Sequence, residues 1–134
     1  MYAVGGYNEK KGALDSVEVF SFNTLEWKQL APMNKARINS GSCTFGKNML
    51  YVFGGRSTSP NASDFYNSIE RLNTDLNLWS YVEVKLPTPL CNVFAFPVQQ
   101  DYIIIMGGLT RNSSVTDSSG KELTAEEKKE KAKE

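Results

Sequence analysis

Met49-Leu50-Tyr51-Val52-Phe53-Gly54-Gly55 is a run of five apolar residues closed by two glycines, and the same arrangement occurs twice more in the chain. Upstream it reads Met1-Tyr2-Ala3-Val4-Gly5-Gly6, and downstream Tyr102-Ile103-Ile104-Ile105-Met106-Gly107-Gly108. The pairs begin at positions 5, 54 and 107, so the spacings are 49 and 53. A short continuous apolar run is the pattern of a strand buried on both faces. Glycine at its end allows positive φ and close backbone approach where the chain turns. A period of about 50 residues built on this unit predicts a repeat architecture, in which each unit buries its faces only against its neighbours.

Beyond each of the first two glycine pairs a second register appears. Asp15-Ser16-Val17-Glu18-Val19-Phe20 aligns with Asn67-Ser68-Ile69-Glu70-Arg71-Leu72 at an offset of 52, and Trp27 and Trp79 keep the same offset. These features together resemble the kelch repeat: an apolar strand, a double glycine, a polar loop, an aromatic residue and a tryptophan seven positions later. Phe20 to Trp27 and Leu72 to Trp79 have that spacing, although Phe20 and Leu72 stand where the family usually has tyrosine. Pro32-Met33-Asn34-Lys35-Ala36-Arg37 matches the family's Pro-Met with an arginine four residues on; Leu86-Pro87-Thr88-Pro89-Leu90 lacks both Met and Arg. The resemblance runs from residue 1 to about 109.

The fold this implies is all-β: an incomplete kelch-type β-propeller of two to three blades of antiparallel strands. A closed propeller typically has about four to eight blades, so residues 1–109 read as an arc. Strands are expected near 1–4, 16–22 and 26–30 in the first blade, 40–45, 49–53, 67–73 and 78–84 in the second, and 92–97 and 102–106 in the third. Trp27 and Trp79 are large flat fillers expected to pack between neighbouring sheets. Gly5, Gly6, Gly54, Gly55, Gly107 and Gly108 are the expected structural positions at strand ends. Open sheet edges predict self-association.

From residue 110 the repeat is lost: the positions that would hold Ser, Glu and Trp are Gly120, Glu122 and Lys131. Residues 110–134 read as a separate polar, Glu/Lys-rich tail. Thr124-Ala125-Glu126-Glu127 has capping-box spacing, but no apolar stripe accompanies it. The tail is expected to be disordered or a short, marginal helix, serving either as a solvated end or as a charged docking segment.

Lys plus Arg and Asp plus Glu both number 15, so nothing favours nucleic acid or a membrane surface as partner. The chain opens directly in a strand without a signal-like segment, and its longest apolar run is far too short to span a bilayer. The expected location is cytoplasmic. Cys43 and Cys91 read as buried free thiols. The Asn61 and Asn112 glycosylation triplets carry little weight without a secretory signal. With no histidine anywhere, Ser-His-Asp and Cys-His arrangements are impossible within the chain. Two distant cysteines do not make a zinc site, and no cofactor is expected.

The resemblance points to loops at the mouth of the propeller as the binding surface. Carried over residue by residue, it singles out Tyr7, Asn8, Arg37, Asn39, Ser40 and Arg56 for contact with a partner protein or peptide. Arginine forks there suit an acidic peptide through bidentate hydrogen bonds. The competing role for Arg37 is an intramolecular salt bridge to a strand glutamate, and for Arg56 simple solvation. The long polar loop over residues 56–66 is a further candidate contact. The reading is thus a non-catalytic interaction module or scaffold. The alternative is a piece of a kelch-type propeller enzyme, a sugar isomerase or oxidase, which the absence of histidine disfavours.

Overall fold

The computed structural model describes residues 1–58 and 65–110, and every regular element among them is a β-strand. The tail from residue 111, both glycosylation triplets and the centre of the long polar loop lie outside the described residues. The first blade contributes β1 (Tyr2–Val4), β2 (Tyr7–Asn8), β3 (Gly12–Ala13), β4 (Val17–Ser21) and β5 (Glu26–Gln29). The second holds β6 (Gly41–Thr44), β7 (Met49–Phe53), β8 (Ile69–Asn73) and β9 (Leu78–Tyr81). The third has β10 (Cys91–Val98) and β11 (Tyr102–Leu109).

The second blade is complete, a four-stranded antiparallel meander in the order β6-β7-β8-β9. In the first, β1-β4-β5 form three strands of the same meander, and β2 and β3 pair separately as a small hairpin. In the third, β10 and β11 form a pair, the two strands of that sheet among the described residues. The expected all-β arc of partial blades is therefore the observed fold, and it is not closed. Register follows the sequence offset: Phe20 lies opposite Trp27, as Leu72 lies opposite Trp79.

Alternation along the strands assigns each blade two faces. Tyr2, Val4 and Val17 of the first blade pack against Leu50, Val52, Leu72 and Trp79 of the second. The other side of the second blade, with Tyr51, Phe53 and Ile69, packs against Val93, Ala95, Ile103 and Ile105 of the third. The core is thus two seams between sheets. Leu72 and Val52 are completely buried in the first of them. At roughly 1.5–3 kcal/mol for each fully buried aliphatic side chain, the seams and not the separate sheets hold the arc together.

The glycine pairs belong to these seams. Gly54 has φ +60°, and a Cβ there would stand 2.3 Å from the Leu90 carbonyl oxygen. The Gly55 amide donates to that same oxygen at 2.8 Å. At the equivalent Gly5 (φ +62°), a Cβ would meet the Arg37 carbonyl oxygen at 2.5 Å, and the Gly6 amide donates to it at 3.2 Å. Each pair therefore makes a notch that seats the backbone leading into the next blade. Gly107 has nothing nearer than 3.9 Å to a Cβ. Among the described residues the third pair stays in the ladder with β10, and β11 runs on to Leu109 rather than ending at Met106 as expected.

Two expectations fail in informative ways. Trp79 is 8% exposed, and its indole Nε1 donates to the Ala31 carbonyl at 2.8 Å across the seam. Trp27, at the same repeat position, is 50% exposed and does not fill a seam. Its face of the first blade is the one that a preceding blade would cover, and none precedes it among the described residues. The β2–β3 hairpin was expected only as loop. The Asn8 side chain makes its turn by accepting from the Lys10 and Lys11 amides, and Thr58 Oγ1 accepts from Ala13 at 2.6 Å.

Candidate functional site

The segment linking the first two blades, residues 32–40, carries three of the residues expected at the rim, Arg37, Asn39 and Ser40. Met33 anchors it in the first seam, buried beside Val17 and Leu50. Ile38 forms a backbone bridge to Arg56, which is bridged in turn to Phe65. That double bridge brings Asn39 and Ser40 beside the stretch that follows the second glycine pair. Asn39 is exposed, holds φ 55°, and accepts at its carbonyl from the Asn92 amide at 2.7 Å. Ser40 and Arg56 are half-buried.

Arg37 does not reach the rim. Its side chain is fully buried, and its guanidinium forms an ion pair with the equally buried Glu70. Nη1 donates to the Gly54 carbonyl at 2.7 Å and Nη2 to Ser68 Oγ at 3.3 Å. The second carboxylate oxygen of Glu70 accepts from the Asn34 amide at 2.8 Å and from Asn34 Nδ2 at 2.9 Å. Among the described residues no buried side-chain polar atom is left without a partner. This arrangement corrects the expectation that Arg37 contacts a partner: the second role considered for it, pairing with a strand glutamate, is the one its burial permits. Glu18 occupies the repeat position of Glu70 in the first blade, yet it is exposed, because no arginine-bearing segment precedes it among the described residues.

Tyr7 and Asn8 sit on the small hairpin, tied to the second blade through the Ala13–Thr58 hydrogen bond. Tyr7 is 61% exposed and available for contact. Asn8 is exposed too, but its side-chain oxygen is committed to its own turn. The structure therefore brings Asn39, Ser40 and Arg56 together, places Tyr7 on an adjoining hairpin and removes Arg37 to the interior.

Above the Arg37–Glu70 pair lies an open cleft of about 430 Å³, lined by Lys35, Tyr66, Ser68, Tyr81 and Lys85 and continuous with Phe65. Lys35 Nζ stands 5.0 Å and Arg37 Cζ 5.2 Å from the centre of the Tyr66 ring, so the ring takes a cation on both counts. Through the Phe65 bridge the cleft adjoins Arg56. Among the described residues neither Lys35, Lys85 nor Arg56 enters a salt bridge. Burial raises the Tyr81 hydroxyl pKa above its ordinary value, reinforced by Glu70 and opposed by Arg37, so Tyr81 remains a hydrogen-bond donor at neutral pH. Burial also raises the thiol pKa of Cys91, against the pull of the Arg56 charge. Lys35 and Lys85 lie 50 positions apart, and the Asn34–Glu70 bonds that tie the linker to β8, together with the pairing of β8 with β9, bring their surroundings together.

The kelch-motif family model matches residues 1–34 and 38–83. The chain is 36% identical over 85 residues to Kelch-like protein 28 of Homo sapiens, covering 60% of this chain and 15% of that protein. It is 31% identical over 84 residues to Kelch domain-containing protein 3 of Homo sapiens, covering 60% of this chain and 21% of that protein. With Kelch-like protein 40 of Xenopus tropicalis it shares 33% identity over 79 residues, 59% of this chain and 12% of that protein. The chain thus spans a small fraction of the length of the curated relatives it matches.

Proposed function

The chain belongs to the kelch-motif family, and from that premise we propose that it is a non-catalytic interaction module whose partner is an acidic segment of another protein. The observation that carries this reading is the cleft between Lys35 and Lys85, lined by Tyr66 and Tyr81, with Arg56 bridged through its backbone to Phe65 at the cleft's edge; none of the three cations enters a salt bridge among the described residues. A carboxylate entering this cleft meets two ammonium groups and tyrosine hydroxyl donors. Arg56 adds a fork for bidentate binding at the edge. Asn39, Ser40 and the exposed Tyr7 extend the contact along the rim. Arg37 contributes indirectly, by holding the floor of the cleft in place.

Random-peptide display on the purified chain tests this, followed by titration of the recovered peptides against wild type, Arg56→Glu and Lys85→Glu. The recovered peptides are expected to be rich in Asp and Glu. Each charge reversal should weaken binding at least about tenfold, close to 1.4 kcal/mol, and added salt should weaken wild-type binding. Recovery of peptides without acidic residues, or affinity that both reversals leave intact, refutes the proposal.

A further inference from the structure

Among the described residues, both ends of the arc present uncovered sheet faces of the kind that cover one another inside it. Let the forward face of a blade be the one turned to the next blade in the chain. The forward positions of the first blade are Tyr2, Val4 and Val17, and they cover the backward positions Leu50, Val52, Leu72 and Trp79 of the second. The forward positions Tyr51, Phe53 and Ile69 of the second cover the backward positions Val93, Ala95, Ile103 and Ile105 of the third. One pairing of faces thus occurs twice in succession.

Two faces remain. On the first blade the backward positions are Ala3, Phe20, Phe22 and Trp27, with Glu18 and Gln29 on the same face by register. Phe20 stands 5.1 Å from Phe22 and 5.2 Å from Trp27 between ring centres, so the three rings form one cluster. Phe22 is 70% and Trp27 50% exposed. On the third blade the forward positions are Phe94 and Phe96 of β10 and Ile104 and Met106 of β11. Phe94 lies directly opposite Met106 and Phe96 opposite Ile104, and all four are exposed. By register Ile104 and Met106 correspond to Tyr51 and Phe53 in the second blade and to Tyr2 and Val4 in the first. Apolar patches this continuous mark interaction surfaces.

We propose that a second copy of this chain covers them: the forward face of the third blade in one copy seats on the Trp27 face of the next. The forward-on-backward contact that joins blades within the chain then joins chains. Such a contact is heterologous, with different surfaces on its two sides, and it builds rings when the rotation closes. The second copy is the occupant because it carries both halves of a contact already formed twice within the chain. The junction covers the aromatic and aliphatic groups of both faces, with Glu18 as the acidic residue on the Trp27 side.

Sedimentation velocity of the full chain, with Trp27→Glu and Met106→Glu as single variants, tests the proposal. Both substitutions fall on exposed positions, and circular dichroism verifies that each variant keeps the wild-type fold. The wild type is expected to sediment as two or more chains, and each variant alone as a monomer. Mixed in equal amounts, the variants should form a dimer and nothing larger. Each retains one intact face, and only one pairing of intact faces exists. A wild type that stays monomeric at high micromolar concentration overturns the proposal and assigns these faces to some other occupant. Variants that assemble on their own, or a mixture that yields no dimer, overturn it as well. None of these outcomes depends on the Lys35–Arg56 cleft, so the two proposals fail separately.

Discussion

Replacing Arg37 by alanine takes a cation out of the seam between the first and second blades and leaves the Glu70 carboxylate enclosed with only Asn34 as donor. The Gly54 carbonyl and the Ser68 hydroxyl lose their partners at the same time. Removing one member of a buried, hydrogen-bonded ion pair costs about 3–5 kcal/mol, mostly through the charge left behind. A domain of this size has about 5–15 kcal/mol in total, so the variant keeps a small margin. Urea unfolding followed by tryptophan emission is the assay, because Trp79 lies in the same seam while Trp27 already faces solvent. With a urea slope of about 2 kcal/mol per molar, the midpoint should fall by about 2 M. Arg37→Met combined with Glu70→Leu should recover most of that loss, since an apolar pair of similar volume removes both desolvated charges. Glu18→Leu, at the same repeat position but exposed, should change stability by less than about 0.5 kcal/mol. An Arg37→Ala midpoint within about 0.5 M of wild type would refute the reasoning, because the slope makes that only about 1 kcal/mol. So would a double variant no more stable than the single one.

Three further outcomes follow from the seams and the thiols. Trp79→Ala should cost about 3–5 kcal/mol, in the range of a large buried aromatic, with the lost bond to Ala31 included; Trp27→Ala in the dilute single chain should cost less than about 1 kcal/mol, and urea midpoints compare them. Gly54→Ala should destabilise strongly, because its Cβ would stand 2.3 Å from the Leu90 carbonyl, whereas Gly107→Ala, with nothing nearer than 3.9 Å, should incur only the strain of positive φ, of order 1 kcal/mol. Burial raises the thiol pKa of both Cys43 and Cys91, so the protonated form is favoured in the folded chain. Their contribution to stability is complete below the unfolded thiol pKa, about 8.5, and is lost as pH rises through the folded values. Stability should therefore decline in alkaline solution, and a Cys43→Ser, Cys91→Ala variant should show a flatter decline in thermal melts above pH 9.

The parts legible in the sequence were those in which a residue's own chemistry decides its place. The five apolar residues of β7 coincide with the expected 49–53, and the positions matched at an offset of 52 hold equivalent places, Phe20 opposite Trp27 and Leu72 opposite Trp79. What escaped depends on neighbours. Trp27 and Trp79 are the same residue at the same repeat position, and only the presence of an adjoining sheet separates exposed from buried. Arg37 was visible as a motif, but a charged side chain is seldom fully buried, and its depth comes from Glu70 being 33 residues away yet facing it. The β2–β3 hairpin has two-residue strands without alternation, so no period announces it; a side-chain turn at Asn8 and a bond donated by the Ala13 amide to Thr58 hold it instead. The cleft at Lys35 and Lys85 needed the sheet itself before its two cations could be set side by side.

The Arg37–Glu70 pair also settles where one repeat ends and the next begins. Counted from glycine pair to glycine pair, the arginine and its glutamate fall in different repeats, and a graft cut at Gly41 would install Glu70 without its cation. The smallest portion that could be duplicated, swapped or transplanted intact is therefore a sheet together with the linker ahead of it, beginning near Met33. A lineage that gains or loses blades by recombination must break within the short stretch before that methionine, or carry an orphaned carboxylate into every new junction.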